Sequence, residues 1–155
     1  MTDTLSKAER SVRMSRIQGR DTRPELALRK LLHAAGFRYR LHVAGLPGHP
    51  DVVLPRYRAV IFVHGCFWHR HENCRVASMP KSNTAFWVDK FERNVARDAA
   101  TRAKLESAGW RVRIVWECTL STRPRAAATA EEVARWIRAS GPLDSAPETC
   151  TRAEA

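Results

Sequence analysis

The stretch that decides the fold lies at residues 59–63, Ala-Val-Ile-Phe-Val. It is apolar throughout, rich in β-branched side chains, and too short for an ordinary helix. Such a run is typical of a strand buried on both faces, because a half-exposed strand would alternate apolar and polar residues. The sequence therefore predicts the central strand of a sheet at this position.

Three elements are predicted upstream of this strand. Residues 51–54, Asp-Val-Val-Leu, follow a turn rich in proline and glycine and form one strand, and residues 37–43 alternate as in a half-exposed strand. Before them, Thr22-Arg23-Pro24-Glu25 has the pattern of a helix capping box, and Gly36 supplies a stop signal. One buried helical stripe is predicted from the i, i+3, i+4, i+7 spacing of Leu28, Leu31, Leu32 and Ala35.

Downstream, residues 64–83 show no periodicity, and residues 85–108 predict a long helix that ends at Gly109. Residues 110–116 alternate as another strand, and a last helix is predicted from Thr129, where Glu132 completes a capping box. The side chains expected to be buried in these two helices are Val88, Phe91, Val95, Val133, Trp136 and Ile137. The whole order predicts an α/β fold in which a mixed central sheet is flanked by helices.

The two ends of the chain differ from its middle in composition. Residues 1–20 are basic and polar and predict a flexible arm, whereas residues 140–155 are small and polar and predict a disordered tail. The 155-residue chain is long enough for one compact domain, which we expect at residues 21–139.

Charge indicates the kind of partner. The chain has 27 Lys and Arg against 16 Asp and Glu, a net charge of +11, and the basic residues are spread along its length. This distribution favours nucleic acid, although a basic surface kept for solubility or a membrane-surface patch remains an alternative. No apolar stretch approaches the ~20 residues of a membrane span, and the first residues lack the apolar core of a signal peptide. We therefore expect a cytoplasmic protein without a membrane partner.

A candidate metal site lies in the irregular segment. Cys66, His71 and Cys74 have Cys-x4-His-x2-Cys spacing, one ligand short of a tetrahedral zinc site. Cys118, just past the strand at 110–116, is the candidate fourth ligand and would tie the loop to the sheet. The alternative is that the three are unrelated and Cys118 is simply buried. A site filled by four protein ligands would be structural, and Cys150 in the tail receives no role.

A second group of residues suits catalysis with a harder metal. Asp51 follows Pro50 and opens a strand, whereas the next strand ends in Phe62-Val63-His64, without the Asp/Glu-x-Lys motif of many nucleases. Magnesium accepts one carboxylate and a main-chain carbonyl, and His64 and His69 are suited to proton transfer near neutral pH. The alternatives are that Pro-Asp is an ordinary turn and that the histidines are surface or hydrogen-bonded residues.

Aromatic side chains in the same region suggest contact with bases. Phe67 and Trp68 lie beside basic residues in a segment without a core-like pattern, so stacking on bases or insertion between them is expected. Trp87 is a further candidate, and Met14 in the basic arm is a candidate for entry from the other groove. The alternatives are that Phe86 and Trp87 belong to the core and that the arm is inert.

Together these residues resemble the very-short-patch repair (Vsr) endonucleases. The matching stretches are Arg20-Asp21-Thr22, Leu-Pro-Gly-His-Pro-Asp at 46–51, Val-Ile-Phe-Val-His-Gly-Cys-Phe-Trp-His at 60–69, Gly-Trp-Arg-Val at 109–112 and Val-Trp-Glu-Cys at 115–118. They lie between residues 10 and 120, and His-Gly-Cys-Phe-Trp-His is a highly specific motif. The resemblance implies a fold similar to type II restriction endonucleases, with a structural zinc held by Cys66, His71, Cys74 and Cys118.

The resemblance also implies roles for individual residues. Asp51 and the main-chain carbonyl of Val63 would hold magnesium, and His69 would activate water, with His64 as a second catalytic histidine. Asp98 would orient a histidine, and Glu25 would be an accessory acid, although the capping box alone accounts for Glu25. The residues implied to enter the DNA are Phe67, Trp68, Trp87 and Met14, the last as a wedge from the minor groove.

The implied reaction is a nick in one strand of double-stranded DNA, 5′ of the thymine in a T:G mismatch left by deamination of 5-methylcytosine. A monomer with mismatch-repair proteins as further partners is expected. The alternatives are a restriction-like or nonspecific endonuclease on the same fold and a zinc-containing DNA-binding module without catalysis. The chain departs from the family pattern at position 63, where it has valine in place of threonine. It also has one more residue between the last two zinc ligands of the loop.

Overall fold

The computed structural model describes residues 6–16 and 19–141. Its helices are α1 (Lys7–Ser15), α2 (Arg23–Ala34), α3 (Thr84–Ser107) and α4 (Arg123–Arg138). Its strands are β1 (Val52–Leu54), β2 (Ala59–His64) and β3 (Arg111–Trp116), and short 3-10 turns lie at Pro55–Tyr57 and Glu117–Leu120. The expected α/β class, a mixed sheet with flanking helices, is confirmed.

The sheet has the order β1-β2-β3, so the apolar strand at its centre is confirmed. β2 runs antiparallel to β1, with Val52 opposite Ile61, and parallel to β3, with His64 opposite Trp116. A parallel pair needs a long crossover connection, which the loop after β2 and α3 supply. Both β2 and β3 consequently end at the same edge of the sheet.

Helices cover both faces of β2. Ala59 and Ile61 belong to one core cluster with residues of α2 and α4, including Leu28 and Ile137. On the opposite face, Val60 and Phe62 of β2 pack with Leu105 of α3 and Val112 of β3. Successive side chains of a strand point to opposite faces of the sheet. Because β2 is apolar throughout, its side chains contribute to the core on both faces.

The strand predicted at residues 37–43 does not form. Its pairing is limited to an isolated bridge between Arg40 and Val53, although Phe37 is buried in the core. His42 adopts a left-handed backbone with φ of 51°, which is incompatible with a continuing strand. The alternation of apolar and polar residues there belongs to a loop.

The last helix begins earlier than the sequence predicted. α4 starts at Arg123, and the Thr122 side chain accepts a hydrogen bond from the backbone N–H of Arg125. The predicted cap, Thr129, instead donates its hydroxyl hydrogen bond to the carbonyl of Thr119 from inside the helix. A Thr-x-Pro start was present at 122–124, as at 22–24, and it was the better signal. The predicted burial of Val133 and Ile137 is confirmed, and Trp136 is partly buried.

α3 has the predicted extent and is followed by Gly109 with φ of +83°. The burial predicted along it is wrong at two positions, since Val88 is 38% exposed and Val95 is 45% exposed, while Phe91 is buried. The reason is that the first half of α3 packs against the loop after β2. There Phe91 contacts Phe67, and Asn94 donates a hydrogen bond to the carbonyl of Trp68.

The N-terminal segment contains a helix, α1, whose described side chains are exposed. The described side chains of α1 therefore contribute nothing to the core, and the flexible arm expected at residues 1–20 stays a prediction. The side chain of Met14 and residues 142–155, including Cys150, lie outside what the structure describes. Within residues 6–16 and 19–141, no helix has the length and apolar character required to cross a bilayer.

Candidate active site and metal centre

The site is built where β2 and β3 end together. Cys66 lies two residues after β2, and Cys118 lies in the turn that follows β3. Glu117 joins the two segments, because its Oε1 accepts a hydrogen bond of 2.8 Å from the backbone N–H of Cys66. The parallel register of the sheet thus brings together two segments that are far apart in sequence.

Four ligand-type side chains converge at this edge. The ligand atoms of Cys66, His71, Cys74 and Cys118 all lie within 4.8 Å of one another. His71 Nδ1 is 3.5 Å from the Sγ atoms of both Cys66 and Cys118, and its ring stacks on Trp116 at a centroid distance of 4.3 Å. The structure therefore brings together all four residues that the sequence singled out as ligands.

The chemistry of this donor set fits zinc. Burial raises the pKa of the Cys66 thiol to about 12, and burial also raises the pKa of Cys118. Thiols in that environment become thiolates when a cation offsets their charge, and three sulfurs with one imidazole nitrogen match a tetrahedral zinc site. No fifth donor is required, so such a site would be closed to water.

A cavity of about 600 Å³ lies beside this cluster. It is lined by all of the residues to which a catalytic role was assigned from the sequence, namely Glu25, Asp51, Val63, His64, His69 and Asp98. Arginines 20, 29, 97 and 102 line it as well. The cavity is large enough for a hydrated cation and a phosphate group, and its walls offer carboxylates, imidazoles and guanidinium groups.

Asp51 is fixed by the backbone of β2. Its Oδ2 accepts a hydrogen bond of 2.7 Å from the N–H of Val63, and its own N–H donates to the carbonyl of Ile61. Burial raises the pKa of Asp51 to about 6, while the Val63 hydrogen bond opposes that rise. This contact holds the Asp51 carboxylate next to the main chain of Val63. The Asp51 carboxylate and the Val63 carbonyl are the two oxygen donors that were expected to bind magnesium.

The raised pKa of Asp51 predicts a stabilising substitution. The folded protein holds this proton up to about pH 6, whereas the unfolded chain releases it near 3.8, so ionised Asp51 destabilises the fold as pH rises through this window. Asp51→Asn keeps an acceptor for Val63 and removes the charge. Without magnesium, we expect urea unfolding at pH 7.5 to show a gain of about 1–3 kcal/mol, and a smaller gain at pH 5. A variant no more stable than the wild type at pH 7.5 would contradict the burial of this charge.

Glu25 reaches the cavity through a hydrogen-bond network that the sequence did not reveal. Its Oε1 accepts from the Thr22 hydroxyl, and its Oε2 accepts from the backbone N–H of Asp21 and from Arg29. Arg29 is only 5% exposed, and it also donates to the main-chain carbonyl of Asp51 and to the side chain of Asp21. Arg29 thus links the start of α2 to Asp51. An arginine four residues after Glu25, between core leucines, was the available signal.

Two histidines stack in the cavity. The rings of His64 and His69 are 3.8 Å apart between centroids and inclined by 15°. Burial, followed by the charge of His69, lowers the pKa of His64 to about 4, so the His64 ring is neutral near pH 7. His69 Nδ1 lies 2.5 Å from Asp98 Oδ2, and with the proton on Nδ1 in this hydrogen bond, Nε2 has the free lone pair.

An aromatic cluster, formed by Phe67, Trp68, Trp87 and Phe91, adjoins the histidines along the chain. The Phe67 ring makes edge contacts with the other three at 5.1–5.5 Å between centroids. Phe86, for which a core position was the alternative, is 54% exposed. The three rings proposed for DNA insertion therefore form one patch.

The mixed sheet therefore carries, where β2 and β3 end, a cysteine–histidine cluster and a basic, carboxylate-lined cavity, the arrangement expected from the sequence for a metal-dependent nuclease. Residues 2–75 match the family model described as DNA mismatch endonuclease Vsr. The chain is 44% identical over 143 residues to the DNA mismatch endonuclease Vsr of Escherichia coli K12, covering 91% of each chain. The chain thus belongs to the Vsr family of DNA endonucleases, and the resemblance seen in the sequence is confirmed.

Two nicking enzymes are also similar. Identity is 51% over 121 residues to the type II nicking enzyme V.XorIIP of Xanthomonas oryzae pv. oryzae, covering 78% of this chain and 88% of the relative. Identity is 43% over 123 residues to the type II nicking enzyme V.NmeAIP of Neisseria meningitidis, covering 79% and 87%. These similarities confirm the expected enzyme class, a DNA endonuclease.

Proposed function

We propose that the protein nicks one strand of double-stranded DNA, 5′ of the thymine in a T:G mismatch that arises when 5-methylcytosine is deaminated. The reaction is magnesium-dependent hydrolysis of a phosphodiester bond. The observation that carries the proposal is that Asp51, Val63, His64, His69 and Asp98 line one cavity. The fold proposed for this chemistry is that of the type II restriction endonucleases.

In this proposal Asp51 and the main-chain carbonyl of Val63 would hold the magnesium. When bound, the ion supplies polarisation of the phosphate and stabilisation of the leaving oxygen. Asp51 contributes a carboxylate whose Oδ2 is already held by the N–H of Val63, which leaves Oδ1 for a ligand. Glu25 is the proposed accessory acid of the same cavity, and its carboxylate accepts hydrogen bonds from Thr22 and Arg29.

His69 is the proposed base. Asp98 accepts the Nδ1–H hydrogen bond and so orients the ring with Nε2 toward an incoming water. His64 stacks against His69, and burial lowers the pKa of His64 to about 4. A proton removed from water is thus placed on His69, while His64 serves as the second, neutral histidine.

The proposed zinc is structural. Cys66, His71, Cys74 and Cys118 would fill its four positions, so it has no site for water or substrate. Its role would be to fix the loop on which His69 lies, because His69 falls between the ligands Cys66 and His71.

Selection of the mismatch is assigned to the aromatic cluster. Opening a mispaired step costs less than opening a paired one, so Phe67, Trp68 and Trp87 would insert more readily beside the mispaired thymine. Met14, in the arm at residues 1–20, would act as a wedge from the minor groove. We further propose that the domain at residues 21–139 acts as a monomer and that mismatch-repair proteins are partners.

A strand-specific nicking assay tests this function. Matched oligonucleotide duplexes with a T:G mismatch or a full pair are incubated with and without magnesium, and each strand carries its own label. We expect a magnesium-dependent nick only in the thymine strand and a preference of about 10- to 100-fold for the mismatch, since opening differs by one or more kcal/mol. Equal cleavage of both duplexes would indicate a restriction-like or nonspecific endonuclease. Binding without any magnesium-dependent product would indicate a non-catalytic module.

A further inference from the structure

The cavity contains four arginines, and two of them are engaged with the protein. Arg29 is buried and bonded to Asp21, Glu25 and the main chain of Asp51, and Arg102 donates a 2.8 Å hydrogen bond to Glu106. Arg20 and Arg97 remain as cations with no hydrogen bond or ion pair within residues 6–16 and 19–141. A phosphate group bound in the cavity would therefore contact Arg20 and Arg97.

Arg97 is the arginine on the catalytic side of the cavity. It lies in α3 next to Asp98, and its side chain is exposed. Arg97 and Asp98 both line the cavity, and Asp98 Oδ2 lies 2.5 Å from His69 Nδ1. Arg20, by contrast, lies just before α2, and its charge acts on Asp21. Arg97 and Arg20 therefore line different parts of the cavity.

The cavity needs a cation at the reaction centre. Asp51, Asp98 and Glu25 are carboxylates, and the Phe62-Val63-His64 segment has no lysine to offset a phosphate. Guanidinium groups bind phosphate oxygens in a bidentate manner and stabilise the charge that develops on them during phosphoryl transfer. An arginine without a protein partner can bind the phosphate oxygens and can also stabilise the charge that develops on them.

We propose that Arg97 binds the non-bridging oxygens of the scissile phosphate and supplies the cation that is missing from the strand. This rests on the proposed hydrolytic function of the same cavity.

The first test compares nicking rates under single-turnover conditions with saturating enzyme. Arg97→Gln should lower the rate constant by about 100-fold, in the range found when one donor to a developing oxyanion is removed, and Arg97→Lys should restore part of that loss because it restores the charge. Arg93→Gln is the matched control, since Arg93 lies one turn earlier in α3, is 69% exposed and pairs with Asp89 outside the cavity. Its rate constant should stay within about twofold, because isolated surface ion pairs contribute little.

The second test locates the contact on the DNA and needs no catalysis. The phosphate cleaved by the wild type is first mapped and then replaced by a neutral methylphosphonate, and the affinity for DNA is measured without magnesium. Wild type and Arg93→Gln should each lose about 10-fold in affinity through the lost charge-assisted hydrogen bonds. Arg97→Gln should lose less than about twofold, because its partner is already absent.

The outcomes separate this proposal from the proposed function. If the wild type nicks the mismatch but Arg97→Gln loses as much affinity on methylphosphonate substitution as the wild type does, the Arg97 contact is wrong and the function stands. If the wild type cleaves elsewhere, the mismatch function is wrong, and the same measurement is made at the phosphate that it does cleave. A variant that loses activity but keeps the full methylphosphonate effect also overturns the contact.

Discussion

Replacing His69 with alanine should lower the single-turnover rate constant for nicking by about 10²- to 10⁴-fold, the usual contribution of a positioned general base. His69 is the histidine whose Nδ1 bonds to Asp98, and alanine removes the nitrogen that would take the proton from water. Melting temperature and affinity for the mismatched duplex should stay close to those of the wild type. The measurement is the rate of the labelled nick at saturating enzyme, with binding followed separately without magnesium.

Three further variants define the role of His69. Asp98→Asn keeps the histidine but weakens its orientation, so we expect a smaller loss of about 10- to 100-fold, as is usual for groups that orient a functional histidine. Asp51→Ala should abolish nicking, since it removes the proposed magnesium carboxylate. His33→Ala is the control, because His33 is an exposed histidine of α2 that does not line the cavity. Nicking retained at the wild-type rate in His69→Ala or Asp51→Ala would remove the corresponding assignment.

Replacing Cys118 with serine should have the largest effect on stability. Cys118 follows β3, whereas the other three ligands lie in the loop after β2, so its sulfur is the ligand that would connect the loop to β3. Structural zinc contributes about 10–16 kcal/mol to the folding of small zinc peptides. In a domain with its own core we expect part of this, a loss of about 3–5 kcal/mol and roughly 10–20 °C in melting temperature.

The measurement combines calorimetry with zinc content by mass spectrometry. Cys150→Ser is the matched control, because Cys150 has no predicted role, and it should keep one zinc and the wild-type melting temperature. A Cys118→Ser protein that retains one zinc and melts like the wild type would show that Cys118 is not a ligand. If that variant cannot be purified, removal of zinc from the wild type with a chelator should lower its melting temperature by a similar amount.

Local patterns in the sequence predicted the elements that depend on local physics. The apolar run at 59–63 predicted the central strand, because only a strand with two covered faces tolerates it. The Cys-x4-His-x2-Cys spacing predicted three of the clustered side chains, and Cys118 was found because it follows a predicted strand. In each case the deciding residues lie within a few positions of one another.

Features that depend on tertiary contacts were missed. Residues 37–43 alternate like a strand but form a loop, since His42 turns the backbone and a single bridge to Val53 remains. Val88 and Val95 fit a helical stripe, yet the first half of α3 packs on the loop after β2 instead of on the sheet. Arg29 offered only its position four residues after Glu25 and between core leucines, because its contacts with Asp21 and with the main chain of Asp51 depend on the tertiary fold.

The short span from Cys66 to His71 has a consequence for the cell. The imidazole proposed as the base lies between Cys66 and His71, inside one of the loops that the proposed zinc would close, so its position would depend on that ion as well as on Asp98. Oxidants convert a ligand thiolate to a disulfide or sulfenic acid, and zinc starvation leaves the ligands without their ion. Both should therefore lower the nicking activity, although neither modifies the residues that line the cavity. Genome maintenance by such a protein is expected to vary with redox state and trace-metal supply.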